Sequence, residues 1–133
     1  MASIDIQETA GPRKDGLGLS CFVFHVAFGG FVLAGWLVSS TEALLVYLVL
    51  LPAMAAQWAV NQRTCIINNL ENWLRSGQWH DPANPEEGGF LAMLSEWLFA
   101  VRPSAIFLDR LSYAVVLFLW LLGLGHLSWL ALT

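Results

Sequence analysis

The side chains able to do chemistry in this chain are few and scattered: His25, His80 and His126, Cys21 and Cys65, and Glu71 inside a polar run from Gln57 to Arg75. Histidine is the residue that most often holds haem or chlorophyll metal in a membrane, and His25, with Cys21 one turn before it, is the candidate ligand for a haem, a chlorophyll-type pigment or a quinone. The ordinary alternative is that His25 donates to a backbone carbonyl or a neighbouring helix. An intramembrane ionisable group marks a function when its partner can be named. His80 falls in a polar loop and is expected to be solvated. Glu71 has the chemistry of a general acid or base, or of a carboxylate on a proton path. Its structural alternative is close by, because Arg75 stands four residues on in the favourable order for a helix ion pair, and Asn72 can satisfy chain ends in a hairpin. No Ser/His/Asp grouping, His-Glu-x-x-His pair or phosphate-cradling glycine loop is present, so no catalytic residue is assigned and no enzyme activity is expected. Cys21 and Cys65 are too few for a closed four-ligand zinc site, and no metal site is expected.

The elements that must position these groups follow from composition. Of 133 residues, 57% are apolar and only 12% charged, half the charge of an ordinary soluble domain. Net charge is −4, so no basic face exists for a nucleic-acid backbone, and nucleic acid is excluded as a partner. Seven Trp, eight Phe and two Tyr suit a chain that meets a membrane–water interface. The expectation is a single all-α integral membrane domain over residues 1–133. Residues 1–16 read as a polar tail, and the run that follows is too long for a signal peptide, which makes it an uncleaved span.

Three uncharged stretches are long enough for the ~20 residues that cross the hydrocarbon: about 17–39, 43–60 and 111–131. Ser40 or Thr41 can cap the second helix, with Glu42 at its positive end, and Pro52 should kink it. Between them, residues 61–110 predict an interfacial helical hairpin. Its first piece, about 64–75, sets Ile66, Ile67, Leu70, Trp73 and Leu74 against Asn68, Asn69, Glu71, Asn72 and Arg75. Its second, 90–101, carries Phe90, Leu91, Leu94, Trp97, Leu98 and Val101 on one stripe with Glu96 facing away, and at about a dozen apolar residues is too short to span. The turn-rich stretch between the pieces includes Trp79. With three spans, Arg13, Lys14, Arg63, Arg75, Arg102 and Arg110 all share one side, which the positive-inside rule makes cytoplasmic. That predicts a multi-pass protein of a bacterial inner membrane with its N-terminus inside. Four spans is the alternative; it would bring His25 and His126 level, whereas three spans puts them near opposite faces.

The run Cys65-Ile66-Ile67-Asn68-Asn69-Leu70-Glu71-Asn72-Trp73-Leu74-Arg75 resembles the signature of a family of small bacterial membrane proteins of unknown function. That family reads Cys-Pro-Leu-Thr-x-Leu-Glu-Asn-x-Leu-Arg after its second span. Cys65, Leu70, Glu71, Asn72, Leu74 and Arg75 fall in register, while Ile66 and Asn68 depart and residues 76–87 look like an insertion. His25 followed by Gly29-Gly30, and Gly88-Gly89-Phe90, are similar too. The resemblance implies three or four helices and no particular activity.

These readings lead to a non-catalytic accessory or structural subunit of a larger inner-membrane complex, of bioenergetic or photosynthetic kind. Its partners would be other membrane subunits and lipids. Glu71, Asn72 and Arg75 are expected to lock the hairpin behind Cys65, with Trp73, Trp79 and Trp97 at the interface. Gly30 and Ala34, at small-x-x-x-small spacing, are expected to admit a close helix. The competing reading is a tetrapyrrole- or quinone-binding protein with His25 as ligand.

Overall fold

A computed structural model describes residues 15–84 and 87–133; the tail residues 1–14 lie outside it. The described residues are helical, without strands: α1 (Gly16–Ala34) followed by a 3-10 turn (Gly35–Leu37), α2 (Thr41–Val60), α3 (Ile66–Ser76), α4 (Phe90–Phe99) and α5 (Ala105–Leu132). Three segments are long and apolar enough to cross a membrane, Gly16–Leu37, Thr41–Val60 and Ala105–Leu132, while α4 is a shorter apolar helix. The chain is thus a multi-pass helical membrane protein with an α3–α4 hairpin at one end.

Capping sets the helix starts. Asp15 Oδ1 accepts from the Gly18 amide at 2.7 Å, and Ser40 Oγ accepts from Ala43 at 3.3 Å with Glu42 in the first turn. Ser104 Oγ accepts from Phe107 at 3.3 Å, so α5 begins six residues before the predicted 111. The charges at Asp109 and Arg110 had suggested a later start. They are tolerated because they lie in the first two turns, where Asp109 meets Arg63 at 3.7 Å.

Lipid offers no hydrogen bonds, so every freed backbone group in the spans needs a protein partner. Pro52 lies inside α2, which runs unbroken through it. Lacking an N–H, it leaves the Leu48 carbonyl without its helical donor. Trp120 of α5 supplies one, its Nε1–H reaching that oxygen at 2.9 Å. The end of the first span is treated alike: Tyr47 Oη donates to the Val32 carbonyl (2.7 Å), the Trp36 indole to Leu33 (3.1 Å) and His126 Nδ1 to Trp36 (2.6 Å).

The core lies where α2 crosses α5 and the 3-10 turn: Leu44, Tyr47 and Leu51 are fully buried, with Leu48, Val32, Val116 and Leu119 around them. The close approaches fall at Gly35 and Gly123. A Cβ on Gly35 would come within 2.5 Å of the buried Tyr47 ring, and one on Gly123 within 2.9 Å of Leu48. At Gly29 and Gly30 a Cβ would meet nothing within 4 Å. The expected close-packing pair at Gly30 and Ala34 therefore faces outward, because α1 turns its opposite side, bearing Cys21, Phe22 and His25, to the hairpin.

Candidate functional site

The sequence divides α3 into an apolar and a polar face, and the fold turns the polar one inward. Asn68, Asn69, Glu71 and Asn72 are each at most 1% exposed, whereas Ile66, Leu70, Trp73 and Leu74 are 44–56% exposed. An inward polar face is stable only if its groups are paired, since each unpaired buried group costs about 1–3 kcal/mol. The loop between α3 and α4 provides the partners. Asn72 Nδ2 donates to Glu87 Oε2 at 2.7 Å, and its Oδ1 accepts from Asn84 at 2.6 Å. Asn69 Nδ2 donates to the Trp79 carbonyl at 2.8 Å and its Oδ1 accepts from Asn61 at 2.7 Å. Gln57 and Asn61 both donate to the Thr64 carbonyl, at 2.6 and 2.9 Å, which fixes the turn between α2 and α3. Gln62 and Arg63 in that turn adopt the left-handed conformation, φ 52° and 62°.

Glu87 is the acceptor on which the loop closes. Besides Asn72 it takes the Asp81 amide (2.7 Å) on Oε2 and His80 Nδ1 (2.6 Å) on Oε1. The expectation of a solvated His80 is therefore corrected: the ring is half-buried and held by this carboxylate. Sequence reading passed over Glu87, since a carboxylate among Pro, Asn and Gly reads as an exposed turn; only the four asparagines and glutamines waiting on α2 and α3 hint that the loop must supply acceptors.

Glu71 and Arg75 do pair, with Arg75 Nε and Nη2 each 2.8 Å from Glu71 Oε1. Arg75 is shared with Asp15, the cap of α1, at 2.6 Å from Nη2 and through a second contact from Nη1. The Asp15 carboxylate foremost, then Glu71, hold the guanidinium protonated well above its ordinary range. This ion triad ties the start of the first span to the end of α3. Cys65 is the cap residue of α3 without a side-chain cap hydrogen bond, and burial pushes its thiol up. Of the expected interface aromatics, Trp73 and Trp97 are more than half exposed, and Trp79 is 43% exposed with its indole 3.3 Å from Asn61 Oδ1. Trp97 also meets Phe22 of α1 edge-on at 5.7 Å. On α4 the predicted stripe is largely outside: Ala92 and Met93 are the buried pair, Leu91 and Leu98 are exposed, and Glu96 bonds Arg102 at 2.9 Å. The short helix leans on α1 through Phe90 and Trp97, which leaves the remaining large side chains facing away.

His25 sits at the same joint, 8% exposed, with its ring stacked on Phe90 at 4.8 Å. Its Nδ1 is 2.9 Å from the Cys21 carbonyl, and because a carbonyl only accepts, the ring proton belongs on Nδ1. Nε2 is then a buried lone pair without a hydrogen-bond partner, as is Glu71 Oε2, and Glu71 lies within electrostatic reach of the ring. Chemically, these are two buried acceptors that each call for a donor. His126 is at the far end, on the carbonyl of Trp36, which lies eleven residues along from His25, about half of the first span. No group of three His, Cys, Asp or Glu able to hold a metal occurs among the described residues.

Fold and site together define a three-span helical membrane protein carrying a hairpin whose first helix, α3, is polar within and apolar without. Comparison with protein-family models, curated proteins and solved structures returned no match. The likeness of Cys65–Arg75 to a family signature accordingly carries no assignment of activity.

Proposed function

We propose that this chain is a non-catalytic accessory or structural subunit of a larger complex in a bacterial inner membrane, with its hairpin on the cytoplasmic side. The observation that carries the reading is the inverted first helix of the hairpin. A helix that turns its polar face inward and presents Ile66, Leu70, Trp73 and Leu74 outward, in a chain whose α4 also exposes Leu91, Trp97, Leu98 and Phe99, offers more apolar surface than one chain needs. The spans agree with it, since at most 22% of each hydrophobic window is buried within the chain and the Gly29–Gly30 face is open to another helix. The charge distribution supports the orientation, because Arg63, Arg75, Arg102 and Arg110 gather at the hairpin end. Extraction in mild detergent from the native membrane tests the proposal: the chain is expected to migrate with other membrane subunits, and Leu70→Ser with Trp73→Ser to release it. A chain that elutes alone overturns the reading.

A second reading, a tetrapyrrole- or quinone-binding protein, draws support from the His25 tautomer, which leaves Nε2 as the ligating atom. Phe90 covers the ring and Nε2 is enclosed, so a flat macrocycle would have to displace the hairpin. A visible absorption band that His25→Ala abolishes would favour this reading over the first.

A further inference from the structure

Of the arginines among the described residues, three are paired: Arg63 with Asp109, Arg75 with Asp15 and Glu71, and Arg102 with Glu96. Arg110 is exposed and has no carboxylate partner among the described residues. It lies on a shallow, open groove along the outer face of α5, lined by residues of that one helix and its cap, Ser104, Ile106, Phe107, Leu111 and Ala114. These residues recur at three- and four-residue spacing, so the groove follows the helix, with Ser104 at its start, Arg110 midway and only Leu111 and Ala114 beyond the charge. Ser104 Oγ accepts from the Phe107 amide, which leaves its O–H free to donate outward.

Depth fixes what such a groove meets. The 22 residues from Arg110 to Leu132 span roughly 33 Å of helix, against ~30 Å of hydrocarbon, so Arg110 stands at the boundary between acyl chains and headgroups. Its neighbour Asp109 is engaged by Arg63 and does not neutralise it. A planar guanidinium there matches a phosphate bidentately. We propose that Arg110 and this groove bind an anionic phospholipid, the phosphate on Arg110, the polar headgroup toward Ser104 and an acyl chain along Leu111 and Ala114. The site lies on this chain's own helix and stands whether or not the chain assembles with others.

Native mass spectrometry of the full chain in detergent, titrated with phosphatidylglycerol and with phosphatidylcholine of identical acyl chains, tests it. Wild type is expected to retain the anionic lipid with a preference of about fivefold, the worth of one basic residue at an anionic surface. Arg110→Gln should erase that preference, whereas Arg102→Gln, which removes an equally charged residue of the hairpin end, should leave it. Ala114→Trp, at an exposed position, should weaken retention of both lipids by filling the groove while the charge stays. Equal retention of the two lipids by wild type, or a preference that survives Arg110→Gln, overturns the proposal. So does displacement of lipid by millimolar inorganic phosphate, which would identify a free anion as the ligand. Helical content of each variant, read by circular dichroism, separates loss of the site from loss of the fold.

Discussion

At the residue scale, the side chains first suspected of ligand chemistry turn out to share a task with aromatic residues that nothing in the sequence singles out. His126, Tyr47 and Trp120 each donate to a carbonyl that a helix end or a proline has left open. The Pro52 case is the sharpest, because the donor comes from a residue 72 positions from the carbonyl it serves. Trp120→Phe is expected to cost about 1–2 kcal/mol in a reversible detergent unfolding assay. In a Pro52→Ala background residue 52 regains its amide and fills Leu48 itself, so the same substitution should cost less than half as much. Equal costs in both backgrounds would mean the indole contributes packing alone. Cys65 gives a pH prediction from its raised thiol. Maleimide acts on the thiolate, so labelling at pH 7.5 should be slower than at a cysteine placed at the exposed Gln78, and should climb as pH rises above the ordinary thiol range.

At the element scale, the periodicity of residues 64–75 was enough to predict a helix and to sort its two faces, but not to say which face points in. That choice depends on partners a helical pattern does not contain. Asn72 alone would be as content in water; what draws it inward is Glu87, Asn84 and the Trp79 carbonyl arriving from the other side of a turn. Likewise the Glu71–Arg75 pair was legible from its four-residue spacing, while the third member, Asp15, was not, being 60 positions away. The three spans were legible to within a few residues because length and charge are local properties, and the early start of α5 was missed because an ion pair with Arg63 offsets Asp109. The inversion reverses the usual expectation for mutations. Asn72→Ala should destabilise by about 1–3 kcal/mol and speed proteolysis within residues 77–84, since it takes one donor from Glu87 and one acceptor from Asn84. Leu70→Ser, on the outer face, should leave both measurements within about 0.5 kcal/mol of wild type in detergent. A helix packed in the ordinary sense would give the opposite ranking.

At the scale of the whole molecule, everything turns on which ends lie together. The start of α1, the end of α2, the hairpin and the start of α5 are joined by Asp15–Arg75, Gln57–Thr64 and Arg63–Asp109, while the 3-10 turn and the end of α5 are joined by His126 and Trp36. An odd number of crossings follows, and with it a definite pattern of access. Cysteines introduced singly at Gln78, Arg102, Ser39 and Thr133, in a chain with Cys21 and Cys65 replaced by Ser, should fall into two groups under a membrane-impermeant thiol reagent. Positions 78 and 102 should react only after the membrane is opened, and 39 and 133 in intact cells, because a cluster of arginines resists translocation. If α4 crossed the membrane instead, residue 102 would part company with 78, and α5 would have to run the other way. The Asp15–Arg75 tie would survive that change, but Arg63 and Asp109 would lie on opposite faces and their pairing could not. Reactivity at 102 is therefore the single measurement that separates three crossings from four, and it bears equally on Arg110, whose position at the headgroup boundary assumes that α5 begins on the arginine-rich side.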